Sequence, residues 1–252
     1  MNLLVDIGNT RIKWASQLNQ RLVSTDAAVH RDQADLSALI DRCWLNLKPP
    51  ARIIVSNVAG EQIEQALIDW VRGAWGVVPE FVRDKPGVRG FKSEYRIQAL
   101  GIDRWMALLA LQDQFDLPAI VVSCGTAVTA DLLTDKALHL GGVIMPGLTM
   151  MKEVLHQRTS GLSKSSIEPI TVIGRDTEQA IASGTQLAIC GMIDRFILEA
   201  EQQGYSNPQL VLTGGDAQVV ADALGRPVQI EPNIVLMGLM LVANQAQGRS
   251  HL

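Results

Sequence analysis

A pattern that occurs twice limits what this chain can fold into. Near the start, the apolar run Leu3-Leu4-Val5-Asp6-Ile7 meets the turn Gly8-Asn9-Thr10, and a second run alternates Arg11, Ile12, Lys13 and Trp14. At Pro118 the pattern restarts. Ala119–Ser123 is an apolar run, Cys124-Gly125-Thr126 a turn and Ala127–Leu133 a second run, followed by the polar turn Thr134–Ala137 and a third run over Leu138–Ile144. Short apolar runs bounded by turn residues read as strands. In the first copy the third strand is expected at Arg21–Asp26, behind the polar gap Gln17–Gln20. Helical patterns and further strands follow each time. Internal duplication of this kind defines an architecture before any single element does. It points to two α/β halves of similar layout, residues 1–116 and 117–252, facing each other across a cleft.

The remaining elements fit that plan. In the first half, helices are expected over Asp35–Leu45, Gln62–Trp75 and Leu100–Phe115, with strands over Ala51–Ser56 and Val77–Val82. Asp84–Ser93, rich in glycine and charge, reads as a surface loop. In the second half, helices are expected over Thr149–His156, Thr177–Gln202, Asp216–Leu224 and Ile234–Ala246, and strands over Gln209–Leu212 and Val228–Glu231. With 47% apolar residues, 252 residues can bury a substantial core. The net charge of −4 and the lack of basic blocks argue against nucleic-acid binding. No signal peptide or membrane span is evident, and Cys43, Cys124 and Cys190 lack CxxC spacing. A cytoplasmic protein is expected, with no membrane partner, no disulfide framework and no zinc site.

Four constellations carry chemistry. The first is the pair of turns. Each leaves a buried strand and offers backbone N–H groups suited to phosphate oxygens. Asn9 and Gly8 suit the positive-φ geometry of tight hairpins. Thr10 adds a hydroxyl, Lys13 a cation and Asp6 a carboxylate able to hold a metal ion. An ordinary Gly-Asn turn with a solvated Lys13 is the plainer alternative. The second is Leu100-Gly101-Ile102-Asp103-Arg104-Trp105 at a helix start. It reads either as a carboxylate base beside a guanidinium that grips a substrate carboxylate, or as a helix end with Asp103 at the positive pole of the dipole. The third is Gly141-Gly142-Val143-Ile144-Met145-Pro146-Gly147-Leu148, a constrained turn against which a flat ligand can lie. The fourth is Leu212-Thr213-Gly214-Gly215-Asp216, which either lines an adenosine site or makes a tight turn into a helix. His30, His139 and His251 show no ligand spacing, His156 reads as solvated, and Cys124 reads as a small side chain rather than a nucleophile.

Together these motifs resemble the superfamily of acetate and sugar kinases, heat-shock chaperone ATPases and actin, and within it the type III pantothenate kinases. The matching residues run in family order over nearly the whole chain. They are Asp6-x-Gly8-Asn9-Thr10 with Lys13, Gly101-x-Asp103-Arg104, Gly125-Thr126-Ala127-x-Thr129-x-Asp131, Gly141-Gly142-x-Ile144-x-Pro146-Gly147, Asp176-Thr177 ahead of Ser183-Gly184, and Thr213-Gly214-Gly215. The resemblance implies two tandem ribonuclease H-like (actin-like) α/β subdomains with an interdomain cleft. It implies transfer of a phosphoryl group from ATP to pantothenate, the first committed step to coenzyme A.

Carried over residue by residue, Asp6, Gly8, Asn9, Thr10 and Lys13 would hold ATP phosphates and Mg²⁺, with Asp6 on the metal, and Gly125 and Thr126 would meet ATP. Asp103 would be the base that takes the pantothenate hydroxyl proton. Tyr95, Gly101, Ile102, Asp103, Arg104 and Thr177 would bind pantothenate. The family forms homodimers with the pantothenate pocket near the subunit interface, so Thr177 would serve the neighbour's site. One departure concerns a monovalent cation, K⁺ or NH₄⁺. Ser123 stands where the family carries a cation-binding Asp, so the cation is either lost, held by backbone carbonyls or recruited by the partner subunit. A second is Asp176, where Asn is usual. A Bvg accessory factor-like regulatory protein on the same fold is the alternative to an enzyme.

Overall fold

The computed structural model describes residues 1–83, 92–160 and 172–248. They fall into two compact units: one within Met1–Phe91, Arg96–Asp113 and Asn233–Leu252, the other within Lys92–Tyr95 and Gln114–Pro232.

The first unit opens with β1 (Asn2–Ile7), β2 (Arg11–Leu18) and β3 (Arg21–Val29), then α1 (Leu36–Trp44), β4 (Arg52–Asn57), α2 (Glu61–Trp75) and β5 (Glu80–Phe81). Its helix α3 (Ile102–Gln114) follows a single 3₁₀ turn over Ile97–Ala99. The sheet order is β3-β2-β1-β4-β5, antiparallel between β1, β2 and β3 and parallel from β1 to β4 and β5. Asn19 and Gln20 take positive φ (48° and 62°), the geometry that lets a two-residue turn follow the twist of β2 and β3. Asp35 caps α1 by accepting the Ala38 N–H at 2.8 Å. Gly76, at φ 66°, ends α2 in the left-handed conformation that a side chain would resist.

Strand alternation decides what each face of β1 does. Leu3, Val5 and Ile7 point into a core shared with Ile53, Val55, Leu67 and Val71. Four tryptophans crowd into that core around Trp44. Its ring lies 5.9 Å from Trp14, 6.0 Å from Trp70 and 5.9 Å from Trp75 between centroids. Leu4 and Asp6 point the other way.

The second unit repeats the plan with β6 (Lys92–Ser93), β7 (Ala119–Cys124), β8 (Ala127–Leu133), β9 (Leu138–Pro146), α4 (Leu148–Arg158), α5 (Thr177–Gln202), β10 (Gln209–Thr213), α6 (Ala217–Leu224) and β11 (Gln229–Ile230). Its sheet runs β11-β10-β7-β8-β9-β6. From β9 to β11 this is the first sheet again, with the same directions. Ile120, Val122, Val128 and Ala130 meet Ile189, Ile193, Leu210 and Leu212 in its core. Among the described residues, α5 is the one helix long and apolar enough to cross a membrane by length and composition, and half of its apolar stretch is buried within the protein.

The final helix, α7 (Ile234–Gly248), packs along β1 of the first unit. Gln17 Nε2 donates to Asn244 Oδ1 at 2.7 Å, and Gly238 lies so close to the Met106 carbonyl of α3 that a methyl group there would collide with it. The two units are therefore interleaved along the chain, not cut once at residue 116. Three other expectations change. Most of the strand expected over Val77–Val82 is irregular, with only Glu80–Phe81 paired. The loop expected over Asp84–Ser93 ends in the paired strand β6, its first part lying outside the described residues. His251 also lies outside them.

Candidate functional site

In the first unit the site begins with one row across three strands. Asp6 pairs in register with Lys13 on β2 and with Ser56 on β4, and all three share the face of the sheet opposite the tryptophans. Asp6 is partly exposed as a residue, but its Oδ1 is shut off from solvent and has no hydrogen-bond partner among the described residues. Burial first, and then the nearby Asp103 carboxylate, push its pKa up to about 7, while Lys13 and the Ser56 hydroxyl pull it back. An orphaned, buried carboxylate oxygen facing a second carboxylate is a place that a cation would relieve. No cluster of three or more His, Cys, Asp or Glu side chains suited to a metal occurs among the described residues. That composition fits Mg²⁺, which takes one or two protein carboxylates and completes its shell with phosphate oxygens and water.

The Gly8-Asn9-Thr10 turn is closed by Gly8 N–H donating to Arg11 O at 3.0 Å. Neither Gly8 nor Asn9 adopts positive φ, so the expected left-handed turn is replaced by an ordinary one. An unexpected residue braces it. The buried His30 donates from Nε2 to Gly8 O at 2.6 Å, and its own N–H reaches Thr10 O at 3.0 Å. No sequence spacing announces this contact, because β2 and β3 both lie between the partners.

Asp103 occupies the first turn of α3, with Ile102 opening the helix. Its Oδ1 accepts the Arg104 N–H at 2.8 Å, which fixes the carboxylate at the helix N-terminus. A Cβ on Gly101 would stand 2.5 Å from that oxygen, so glycine is what leaves the carboxylate room. Arg104 is buried rather than solvated.

In the second unit, three of the sequence constellations meet. The turn Cys124-Gly125-Thr126 receives the Gly147 N–H at Thr126 O (2.9 Å) and the Asp216 N–H at Cys124 O (3.1 Å). Gly147 and Gly214 press backbone to backbone on this turn. A methyl on either would collide with the carbonyls of Gly125 and Thr126 or with that of Cys124. Burial pushes the Cys124 thiol up to about 12, which removes it as a nucleophile. The row matching Asp6, Lys13 and Ser56 reads Ser123, Thr129 and Thr213 here, hydroxyls in place of charges.

Thr177 begins α5, whose N-terminus is capped by Asp176 accepting the Gln179 N–H at 2.8 Å. Either Asp or Asn can cap a helix this way, which accounts for the Asp176 departure. Thr177 lines an apolar cavity of about 670 Å³ with Pro146, Met151, Leu155 and Ile181. Tyr95, half-buried, follows β6 and belongs to the second unit, whereas Gly101, Asp103 and Arg104 belong to the first. His139, which sequence spacing leaves idle, is buried between Asp131 and Ser93. The signal was Asp131 itself, since a carboxylate inside an apolar strand needs a partner.

Two α/β units of one topology, each with a small-residue turn after its first strand, give the chain the fold of acetate and sugar kinases, heat-shock chaperone ATPases and actin. A solved structure supports the fold: a conserved Campylobacter jejuni protein, described as a candidate Baf family transcriptional activator, superposes with a TM-score of 0.63 at 22% identity, over 97% of this chain and 99% of that one. The chain belongs to the type III pantothenate kinase family, whose sequence pattern matches residues 2–199. A type III pantothenate kinase of Chromobacterium violaceum is 36% identical over 97% of this chain and 100% of its own length. That of Nitrosococcus oceani is 32% identical over 96% of this chain and 94% of its own.

Proposed function

We propose that this protein catalyses ATP-dependent phosphorylation of pantothenate to 4′-phosphopantothenate. The observation that carries the reading is the buried Asp6 carboxylate beside Asp103, in a chain that matches this kinase family over residues 2–199. Asp6 would hold Mg²⁺, which when bound neutralises charge on the phosphates. Gly8, Asn9, Thr10 and Lys13, with Gly125 and Thr126, would hold the phosphates through N–H groups, a hydroxyl and an ammonium. Asp103 would accept the proton of the pantothenate hydroxyl as its oxygen bonds to the γ-phosphorus and the bond to the β,γ-bridging oxygen breaks. Such transfer relies mainly on positioning and charge neutralisation, so the base need not be strongly basic. Arg104 would pair with the pantothenate carboxylate, and Tyr95, Gly101, Ile102 and Thr177 would complete its binding.

We infer that the protein works as a homodimer. Ile144, Val154 and Leu187 are 60%, 50% and 47% exposed on β9, α4 and α5, the elements whose residues line the Thr177 cavity, Val154 among them, and a second copy would cover them. Ser123, Thr129 and Thr213 offer neutral oxygens where a carboxylate would bind K⁺ or NH₄⁺ more firmly, so the demand for a monovalent cation is expected to be weak.

The test is purified protein with ATP, Mg²⁺ and pantothenate, followed for phosphopantothenate beside Asp103→Asn. We expect product, and a loss on the order of 10²–10⁴ in rate for the variant. No product with K⁺, NH₄⁺ or Na⁺ would overturn the kinase reading. An unchanged Asp103→Asn would overturn the base. A strong requirement for K⁺ would overturn the reading of Ser123.

A further inference from the structure

Asp131 and His139 take no part in the chemistry above, yet they are 1% and 0% exposed. Buried groups of this kind are costly unless every polar atom is matched. Here a chain of bonds matches them. His139 Nε2 lies 2.9 Å from Asp131 Oδ1, and His139 Nδ1 lies 2.8 Å from Ser93 Oγ. Ser93 Oγ in turn accepts the Tyr95 N–H at 3.1 Å. One assignment satisfies the short bonds, with the Ser93 O–H on His139 Nδ1 at 2.8 Å in preference to the long contact with Tyr95 O at 3.5 Å. A carboxylate only accepts, so the ring proton belongs on Nε2; Nδ1 then accepts the Ser93 O–H, and the hydroxyl oxygen keeps a lone pair for Tyr95.

The chain of bonds ends on a segment with little hold of its own. β6 has two residues, paired with β9 through Lys92↔Leu138 and Ser93↔His139 and continued by Glu94 N–H donating to His139 O at 2.9 Å. A strand that short is fixed by what it touches rather than by its own ladder. The Tyr95 ring then lies 6.0 Å from the His139 ring between centroids. It also lies beside Gly141, where an added Cβ would be 4.0 Å from Tyr95 Cδ2. His139 thus contributes a bond, a ring face and a backbone acceptor to one short stretch.

We propose that His139, oriented by Asp131, is a positioning residue that sets the affinity for pantothenate by fixing Ser93 and, through it, Tyr95. The proposal rests on the reading of Tyr95 as a pantothenate-binding side chain. Asp131 acts here as the group that selects the imidazole tautomer.

Steady-state kinetics, with pantothenate and ATP varied separately, test this on Ser93→Ala, Ser93→Thr, His139→Gln, Tyr95→Ala and the double variant Ser93→Ala/Tyr95→Ala. Tyr95→Ala is expected to raise the pantothenate KM about 10- to 100-fold. Ser93→Ala, losing one hydrogen-bonded link, should raise it about 5- to 10-fold, with kcat and the ATP KM changed by less than about twofold. Ser93→Thr keeps the hydroxyl and should stay near the original value. The double variant should resemble Tyr95→Ala alone, because both act through one side chain. Should His139→Gln lose its fold, Ser93→Ala decides, since it removes only a half-buried hydroxyl. An unchanged pantothenate KM in Ser93→Ala, or a parallel change in kcat and both KM values, overturns the positioning role. An unchanged pantothenate KM in Tyr95→Ala overturns instead the reading of Tyr95 on which the proposal rests.

Discussion

Asp6 is a residue the fold would be more stable without. Its pKa of about 7 stands above the ordinary carboxylate value, so the folded state holds a proton that the unfolded chain has already released. Stability from this residue therefore falls as pH rises from about 4 towards 7, and the full penalty is present above that. In protein free of ligand, Asp6→Asn should raise Tm by a few degrees at pH 8 and leave it unchanged below about pH 4, while phosphorylation is lost. Thermal melts across that range, with an activity assay at pH 8, check both halves of the statement. Gly101 offers the opposite experiment. A methyl there meets only the side-chain end of Asp103 and no backbone, so Gly101→Ala should fold with an almost unchanged Tm but displace the carboxylate from its bond to the Arg104 N–H. We expect kcat to fall about 10- to 100-fold, which pre-steady-state rates would show. The places of Asp6 at a strand end and of Gly101 and Asp103 at a helix start were legible in the sequence because each sits in a short motif. His30 and His139 were not, because their partners come from other strands.

At the scale of elements, what orders the small-residue turn after β7 is contact between backbones. Gly147, entering α4, and Gly214, leaving β10 at φ 99°, both lie on the turn formed by Cys124, Gly125 and Thr126. Gly147→Ala and Gly214→Ala should each cost more than about 2 kcal/mol of stability, measured by chemical denaturation, since the obstacle is backbone and cannot swing away. The long elements were readable in advance, α5 to the residue, because periodicity and caps are local properties. The strand β6, with two residues inside an expected loop, was not, and β5 was expected longer than it is. Lys92 and Ser93 carry no period, and it is pairing with β9 that makes them extended.

The duplication was also plain from the sequence, since both copies repeat one order of strands and turns. The return of α7 to the first unit was not. It depends on the close approach of Gly238 to Met106 and on Gln17 reaching Asn244, contacts between distant parts of the chain. Assembly can be tested at the same scale. Light scattering should give a dimer, and Val154→Glu, placing a charge on the exposed apolar face, should give monomers with an unchanged far-UV spectrum and weaker pantothenate binding. The tryptophans add a practical consequence. All five, Trp14, Trp44, Trp70, Trp75 and Trp105, lie in the first unit, and the second has none. Intrinsic fluorescence therefore watches one half of the molecule. A denaturation curve or ligand titration read by emission alone reports the unit that carries Asp6 and Asp103 and is blind to the one that carries Thr126 and Thr177. An extrinsic dye or a tryptophan introduced into the second sheet would give that half its own optical voice.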